Sequence, residues 1–280
     1  MKGTSIEQSN AHAKSNEFPS SEGLGVGNYQ NLIEIAKDAA VEAGKAILEV
    51  YNSDDFNVEL KGDDSPLTRA DKQAHNVIVS HLENTDLPIL SEEGKSIPFE
   101  ERKSWDHFWM VDPLDGTKEF IKRNGEYTVN IALIHDGKAI AGVVFVPVTQ
   151  KLYWSVKGEG AFVKSKEGVG ELRSNKITLQ DEGLKVVASR SHLNDDTQQF
   201  LDSLNKPEVV SMGSSLKLLA IAEGTADVYP RFAPTMEWDT AAANAIVEES
   251  GAKVYQKEMK EELLYNKEDL LNPHFIVLNH

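Results

Sequence analysis

The sequence predicts a mixed fold, with an α+β first half followed by an α/β layered second half. Three observations carry this expectation. Leu32, Ile35, Ala36, Ala39, Ala43, Ala46 and Ile47 recur at spacings of three and four, forming one apolar helix face. Two alternating apolar runs, Thr128 to Ile134 and Ala139 to Val146, flank Asp136-Gly137, a tight hairpin signal. From Leu184 onward, strand-like and helix-like segments alternate, the arrangement of α/β layers.

The elements follow in chain order. Residues 1–28 are rich in Ser, Gly, Asn and Glu and lack an apolar h-region, so a disordered tail is expected and not a signal peptide. The first helix begins near Tyr29 and stops at Asn52-Ser53-Asp54-Asp55. A second helix is expected from Arg69 to Leu82, then short strands at Pro88 to Leu90 and Phe108 to Val111. After the hairpin, strands at Leu152 to Val156 and Ala161 to Val163 surround Gly158-Glu159-Gly160. Lys164 to Arg173 reads as a charged, glycine-containing loop. It sets a boundary between residues 29–165, a metal-binding catalytic domain, and residues 166–280, a domain that completes the substrate site. In the second half, strands are expected at Leu184 to Ala188, Asp227 to Tyr229 and Phe275 to Leu278. Helices are expected at Asp195 to Leu204, Ser214 to Ala222 and Asp239 to Glu249, the last stopped by Gly251.

Composition bounds the function. The chain has 280 residues, 40% hydrophobic and 26% charged, as in a soluble globular protein. It has no cysteine, which excludes disulfides, zinc-thiolate sites and cysteine nucleophiles. A net charge of -16 argues against binding nucleic-acid polymers and against docking on anionic lipid. The longest apolar stretch, Ala139 to Val148, is about half of the ~20 residues that a membrane span needs. An acidic chain would repel a phosphate substrate unless bound cations and local basic residues reversed the sign at the site.

The most informative run is Trp109-Met110-Val111-Asp112-Pro113-Leu114-Asp115-Gly116-Thr117-Lys118. Asp112 and Asp115 follow a strand-like stretch. Pro113 fixes the backbone between them, and Gly116 permits close approach. Such a run forms a metal cradle facing a phosphate, or else a plain turn. Further acids lie at Asp71, at Glu92-Glu93 and at Asp239. Each also has an ordinary explanation: a charge favoured near a helix N-terminus, a solvated turn, a helix cap. Gathered in one place, carboxylates repel each other unless a cation sits among them. An all-oxygen set suits Mg²⁺, with Mn²⁺ as a substitute, and not zinc. Gly116 and Thr117 lie where a helix would begin, with backbone N–H groups able to face an anion. The Thr117 hydroxyl is a weak acid alone; it can polarise a water if a carboxylate accepts its proton, and Asp71 is the carboxylate left over.

In this order and spacing, DPLDGTKEF, SEEG and WDTAA resemble the lithium-sensitive, magnesium-dependent phosphatases that include inositol monophosphatase and fructose-1,6-bisphosphatase. Within that superfamily the chain is similar to the bacterial 3'(2'),5'-bisphosphate nucleotidases through Lys118 to Asn130, Ser189-Arg190-Ser191-His192, Gly213-Ser214-Ser215-Leu216-Lys217 and Tyr229-Pro230-Arg231-Phe232. The likeness runs from about Tyr29 to the C-terminus. It implies a layered αβαβα sandwich. It also implies two or three Mg²⁺ ions held by Glu92, Asp112, Asp115, Asp239 and the Leu114 carbonyl. Thr117, Asp71 and Glu92 would orient the attacking water, with Glu93 behind the ligands. Substrate would be contacted by Glu92, Leu114, Asp115, Gly116, Thr117, Lys118 and Asp239, and by Ser189, Arg190, His192, Ser214, Lys217 and Arg231 from the second half. For the basic residues the ordinary alternative is surface charge. Tyr229 or Phe232 would stack on adenine or lie in the core.

The implied reaction is hydrolysis of the 3'-phosphate of adenosine 3',5'-bisphosphate (PAP) to AMP, extending to its sulfated precursor (PAPS), in sulfur assimilation and nucleotide recycling. Lys118 and the pair Lys122-Arg123 favour a doubly phosphorylated substrate over a neutral sugar ring. The alternatives are a sugar phosphatase of the inositol monophosphatase type and a catalytically silent nucleotide sensor. The resemblance further implies lithium inhibition and a cytoplasmic monomer. Attachment to the cytoplasmic face of the inner membrane is assigned to similar bacterial proteins, but this acidic chain shows no anchor. One departure stands out: where the family's last motif has glycine, this chain has Ala243.

Overall fold

The structure is a computed structural model describing residues 26–53, 59–60, 66–188 and 194–280. The expected tail therefore lies outside the described residues, apart from 26–28, which begin the first helix.

A seven-stranded sheet forms the centre of the molecule, in the order β3-β4-β5-β6-β7-β8-β9. Its strands are β3 (Ile89–Ser91), β4 (His107–Asp115), β5 (Thr128–His135), β6 (Lys138–Val146), β7 (Lys151–Val156), β8 (Gly160–Ser165) and β9 (Gly168–Glu171). β3 and β4 pair in parallel; every other neighbouring pair is antiparallel. Two preceding strands, β1 (Glu59–Leu60) and β2 (Pro66–Leu67), make a separate antiparallel pair.

Side chains alternate across a pleated strand, and both faces of this sheet are covered. Trp109, Val111, Ile131 and Leu133 pack against α1 (Val26–Tyr51) and α2 (Arg69–Leu82) through Ile33, Ala40, Ile47, Ala74 and Ile78. Phe108, Met110, Ala132 and Val144 face the other way. They meet α6 (Leu216–Ala222) and α7 (Glu237–Glu249) through Leu219, Ala242 and Ile246. Burial of such aliphatic faces contributes about 25 cal/mol per Å² of apolar surface removed from water.

The outer layer consists of the parallel pair β10 (Lys185–Ala188) and β11 (Glu208–Ser211), with the antiparallel set β12 (Tyr229–Arg231), β14 (Phe275–Leu278) and β13 (Lys253–Gln256). Val187 and Val277 face α6 and α7, whereas Val186, Ile276 and Leu278 face Leu201 of α5 (Asp195–Asp202). The layers thus run helix, sheet, helix, sheet, helix, and the αβαβα expectation holds. One apolar cluster joins residues of both halves of the chain.

Several boundaries move. The expected loop from Lys164 to Arg173 contains strand β9, a fully exposed edge of the sheet. With no buried face it shows no apolar alternation. β11 was absent from the expectation for the same reason, its residues all being exposed. The helix expected from Ser214 starts at Leu216, because Ser214 takes a left-handed backbone, φ 51°. Two short helices also appear, α3 (Phe99–Arg102) and α4 (Thr117–Ile121).

Candidate active site

The site is built where β4 ends. Pro113 cannot donate to a sheet ladder, and the register slips by one residue there: Asp112 pairs with Asn130, and Asp115 with Thr128. The bulge sends Leu114 into the core, 2% exposed, and its N–H donates to Asp112 Oδ1 at 3.0 Å. Gly116 follows with φ 95° and opens α4, a conformation that suits glycine. A Cβ there would meet the Glu126 carbonyl oxygen at 3.0 Å.

Neighbouring elements bring in the other acids. Glu92 follows β3, its N–H donating to the Val111 carbonyl at 3.1 Å. Asp239 is the third residue of α7 and accepts the Met236 N–H at 2.9 Å. One carboxylate thus both closes the start of α7 and joins the group of acids. One carboxylate oxygen from each of Glu92, Asp112 and Asp239 lies within 4.8 Å of the others. Asp115 is outside this set of three. Its Oδ2 accepts from the Ser214 hydroxyl (2.6 Å), the Ser215 N–H (2.6 Å) and the Ser215 hydroxyl (2.9 Å).

The acids of this cluster raise one another's pKa. Burial, then the charges of Glu92, Asp115 and Asp239, push the Asp112 carboxyl well above its ordinary range. Burial, then Asp115 and Glu92, do the same to Asp239. A hard divalent cation among these oxygens would reverse both effects, and an all-oxygen donor set suits it.

Thr117 and Asp71 also meet. The Thr117 hydroxyl lies 3.2 Å from Asp71 Oδ1 and 3.4 Å from the Leu114 carbonyl oxygen. Asp71, only 1% exposed, is held by the start of α2: its Oδ2 accepts the Thr68 N–H at 2.8 Å and the Thr68 hydroxyl at 2.5 Å. Burial lowers the pKa of His75, the charge of Glu93 opposing it, and the His75 ring is 2.9 Å from the Ser91 hydroxyl.

Beside the acids opens a cavity of about 410 Å³. Gly116, Lys118, Ser214, Lys217 and Arg231 line it, together with Asp115 and Asp239. Lys217 is buried over the Tyr229 ring at 5.7 Å, and its ammonium donates to the Ser214 carbonyl at 2.6 Å. Burial lowers its pKa to about 8 against the opposing pull of Asp115. Arg231 donates to the Thr235 hydroxyl (2.5 Å) and the Pro234 carbonyl (2.8 Å).

Three expectations are corrected or left aside. Of the basic pair, Lys122 lines the cavity, but Arg123 turns away to the Ser53 carbonyl at 2.8 Å. Of the two aromatics, Tyr229 forms cavity wall, whereas Phe232 packs edge-on to Phe200 in the outer core. Ser189, Arg190 and His192 lie outside the described residues. Sequence reasoning missed the polar brace behind the acids. The Thr128 hydroxyl lies 2.8 Å from that of Ser214, and the Asn130 amide donates to the Ser215 hydroxyl at 3.0 Å. Thr128 and Asn130 sit on one face of β5, a two-residue spacing that could have signalled them.

The inositol monophosphatase family matches residues 28–278. The chain belongs to that family. Its relatives include the 3'(2'),5'-bisphosphate nucleotidase CysQ of Salmonella typhimurium, 44% identical, covering 88% of this chain and 99% of the relative. CysQ of Escherichia coli K12 is also 44% identical, covering 85% and 96%. The crystal structure of CysQ from Bacteroides thetaiotaomicron, a bacterial family member, superposes with a TM-score of 0.79 at 46% identity, covering 89% and 97%. The Thermotoga maritima IMPase, TM-score 0.73 at 22% identity, shares the fold over 89% of this chain. Among the described residues, no helix is long and apolar enough to cross a membrane.

Proposed function

We propose that this protein is a Mg²⁺-dependent 3'(2'),5'-bisphosphate nucleotidase that removes the 3'-phosphate of PAP to give AMP and phosphate, acts likewise on PAPS, and works as a monomer in the cytoplasm. The observation that carries the reading is the meeting of Glu92, Asp112 and Asp239 within 4.8 Å, beside a cavity lined by Lys118, Lys122, Lys217 and Arg231. The 44% identity to nucleotidases over most of the chain supports it.

Glu92, Asp112, Asp239, Asp115 and the Leu114 carbonyl are the groups that would hold the ions. Bound there, magnesium would supply Lewis-acid activation of the attacking water and neutralise charge on the leaving oxygen. The Thr117 hydroxyl, with Asp71 as proton acceptor, orients and polarises that water, and Glu92 assists. Ser214 and Ser215 hold Asp115 in place through Oδ2. Lys217 and Arg231 reach the phosphate that is not cleaved, with Tyr229 as a wall for the base. Binding of that remote phosphate positions the reacting one in line with the water.

Phosphate release in Mg²⁺, measured side by side on PAP, inositol 1-phosphate and fructose 1,6-bisphosphate, tests the proposal. PAP should have the largest kcat/KM. A preference for inositol 1-phosphate would make the protein a sugar phosphatase. No turnover of any of them would leave a nucleotide-binding sensor.

A further inference from the structure

At the opposite end of the same strand lies a second group of metal-ligating side chains that the phosphatase chemistry does not use. We propose that Asp106, His107 and His135 form a site for a nitrogen-preferring transition dication of the zinc class, separate from the carboxylate cluster.

His107 opens β4, His135 closes β5, and the two are paired directly across the antiparallel ladder. Paired residues put their Cβ atoms about 4.5–5.5 Å apart on one face. The two imidazole rings stack with centroids 4.0 Å apart and planes 9° from parallel. Both Nδ1 atoms turn to Asp106: its Oδ2 is 2.8 Å from His107 Nδ1, and His135 Nδ1 lies 3.2 Å from its main-chain carbonyl oxygen and 3.4 Å from Oδ1. One ligand atom from each residue falls within 4.8 Å of the others.

The donor set distinguishes this site from the first. Two imidazole nitrogens and one carboxylate suit zinc with an open fourth position, whereas magnesium prefers oxygen. His107 lies five residues before Asp112, about 17 Å along the strand, so the two sites are separate. The Asp106 side chain is 60% exposed and that of His135 38%, which leaves entry open on their side.

The surroundings of His107 fit a ligand. Tyr29, on α1, places its hydroxyl 3.0 Å from His107 Nε2. Without an ion, Nδ1–H donates to Asp106 and the tyrosine hydroxyl donates to Nε2. With an ion on Nδ1, the ring proton moves to Nε2 and donates to the same tyrosine oxygen. A hydroxyl serves both tautomers, and such partners orient metal-bound histidines. A single ion cannot lie in two parallel ring planes, so the exposed His135 ring must swing to complete the site.

Calorimetric titration of Zn²⁺ in excess Mg²⁺, which competes at the carboxylate cluster, tests the proposal, and the zinc equivalent that counts is the one retained when that cluster is broken by Asp112→Asn. One equivalent should bind to the wild-type protein and to Asp112→Asn. Affinity should fall about 100-fold or more in His135→Ala and Asp106→Asn, and about 10- to 100-fold in Tyr29→Phe. Co²⁺ loaded in the same way should show visible absorption of nitrogen coordination that disappears in His135→Ala. Unchanged phosphate release by His135→Ala would verify its fold. Absence of a zinc equivalent in the wild type, its persistence in His135→Ala, or its loss in Asp112→Asn would each overturn the site. None of these outcomes depends on which phosphate ester the enzyme prefers.

Discussion

The acidic and basic walls of the cavity are built in opposite ways. On the acidic side, Asp112 and Asp239 are crowded by Glu92 and Asp115 and resist ionisation. On the basic side, Lys217 and Arg231 already hold backbone or hydroxyl partners at 2.5–2.8 Å. The acidic wall crowds like charges together, an arrangement that suits a bound cation. The basic wall is organised before substrate arrives. Chemistry should therefore depend on what is bound at one wall, and recognition on what is prebuilt at the other.

The strongest way to break this contrast is Asp112→Asn. Turnover should fall by about 10³-fold or more, because one of the groups that would hold the ions is lost. Stability should move the other way. In chelator near neutral pH, Asp112→Asn should melt above the wild type, since it removes a buried repulsion. The sign with pH follows. A carboxyl raised in the folded state destabilises the fold while ionised, so the gap in Tm should close as pH falls and Asp112 takes up its proton. A lower Tm for the variant in chelator would mean that the cluster is not strained.

Thr117→Ala should cost less, about 10²-fold in kcat with KM almost unchanged, and Thr117→Ser should restore much of it. The hydroxyl is read here as acting on water through Asp71, its partner at 3.2 Å. A rise in KM alone would move Thr117 from the chemical wall to the binding wall.

Lys217→Met probes the opposite wall. It should raise KM for PAP about tenfold and leave kcat and KM for a singly phosphorylated ester nearly unchanged. Burial brings the lysine pKa to about 8. Above that pH the wild-type ammonium loses its proton, so the difference between the two proteins should narrow. A difference that holds to pH 9.5 would show that the charge is not what binds.

The acidic wall was far easier to read in the sequence than the basic one. Asp112 and Asp115 stand in one run with Pro113 and Gly116, and a local backbone event, the bulge, aims them. Asp71 and Asp239 sit in the first turns of helices that the sequence predicts, and Glu92 follows a predicted strand. Lys217 and Arg231 carry no such mark, since a lysine in an apolar helix and an arginine in a short strand do not reveal which side they face. The Ser214 turn, with its left-handed backbone, obeys no local preference at all; Asp115 and Thr128, distant in sequence, hold it. The exposed strands β9 and β11 were hidden because only burial writes an apolar pattern.

Ala243 offers the mildest test, because it packs in the core and lines neither wall. Helix α7 is seated on β6 at Gly142, where a Cβ would come within 2.1 Å of the Ala242 carbonyl oxygen. That contact, and not residue 243, sets how closely the helix approaches. The Ala243 methyl, 1% exposed, packs in the apolar cluster shared by both halves of the chain. Ala243→Gly, the residue that the resemblance leads one to expect there, should therefore act on stability. The expected loss is about 1–2 kcal/mol, from helix propensity plus one buried methyl. Asp239, four residues earlier, accepts the Met236 N–H at 2.9 Å in either case, so kcat/KM should hold. A change of tenfold, about 1.4 kcal/mol in the barrier, would show that the methyl tilts α7 and carries Asp239 with it.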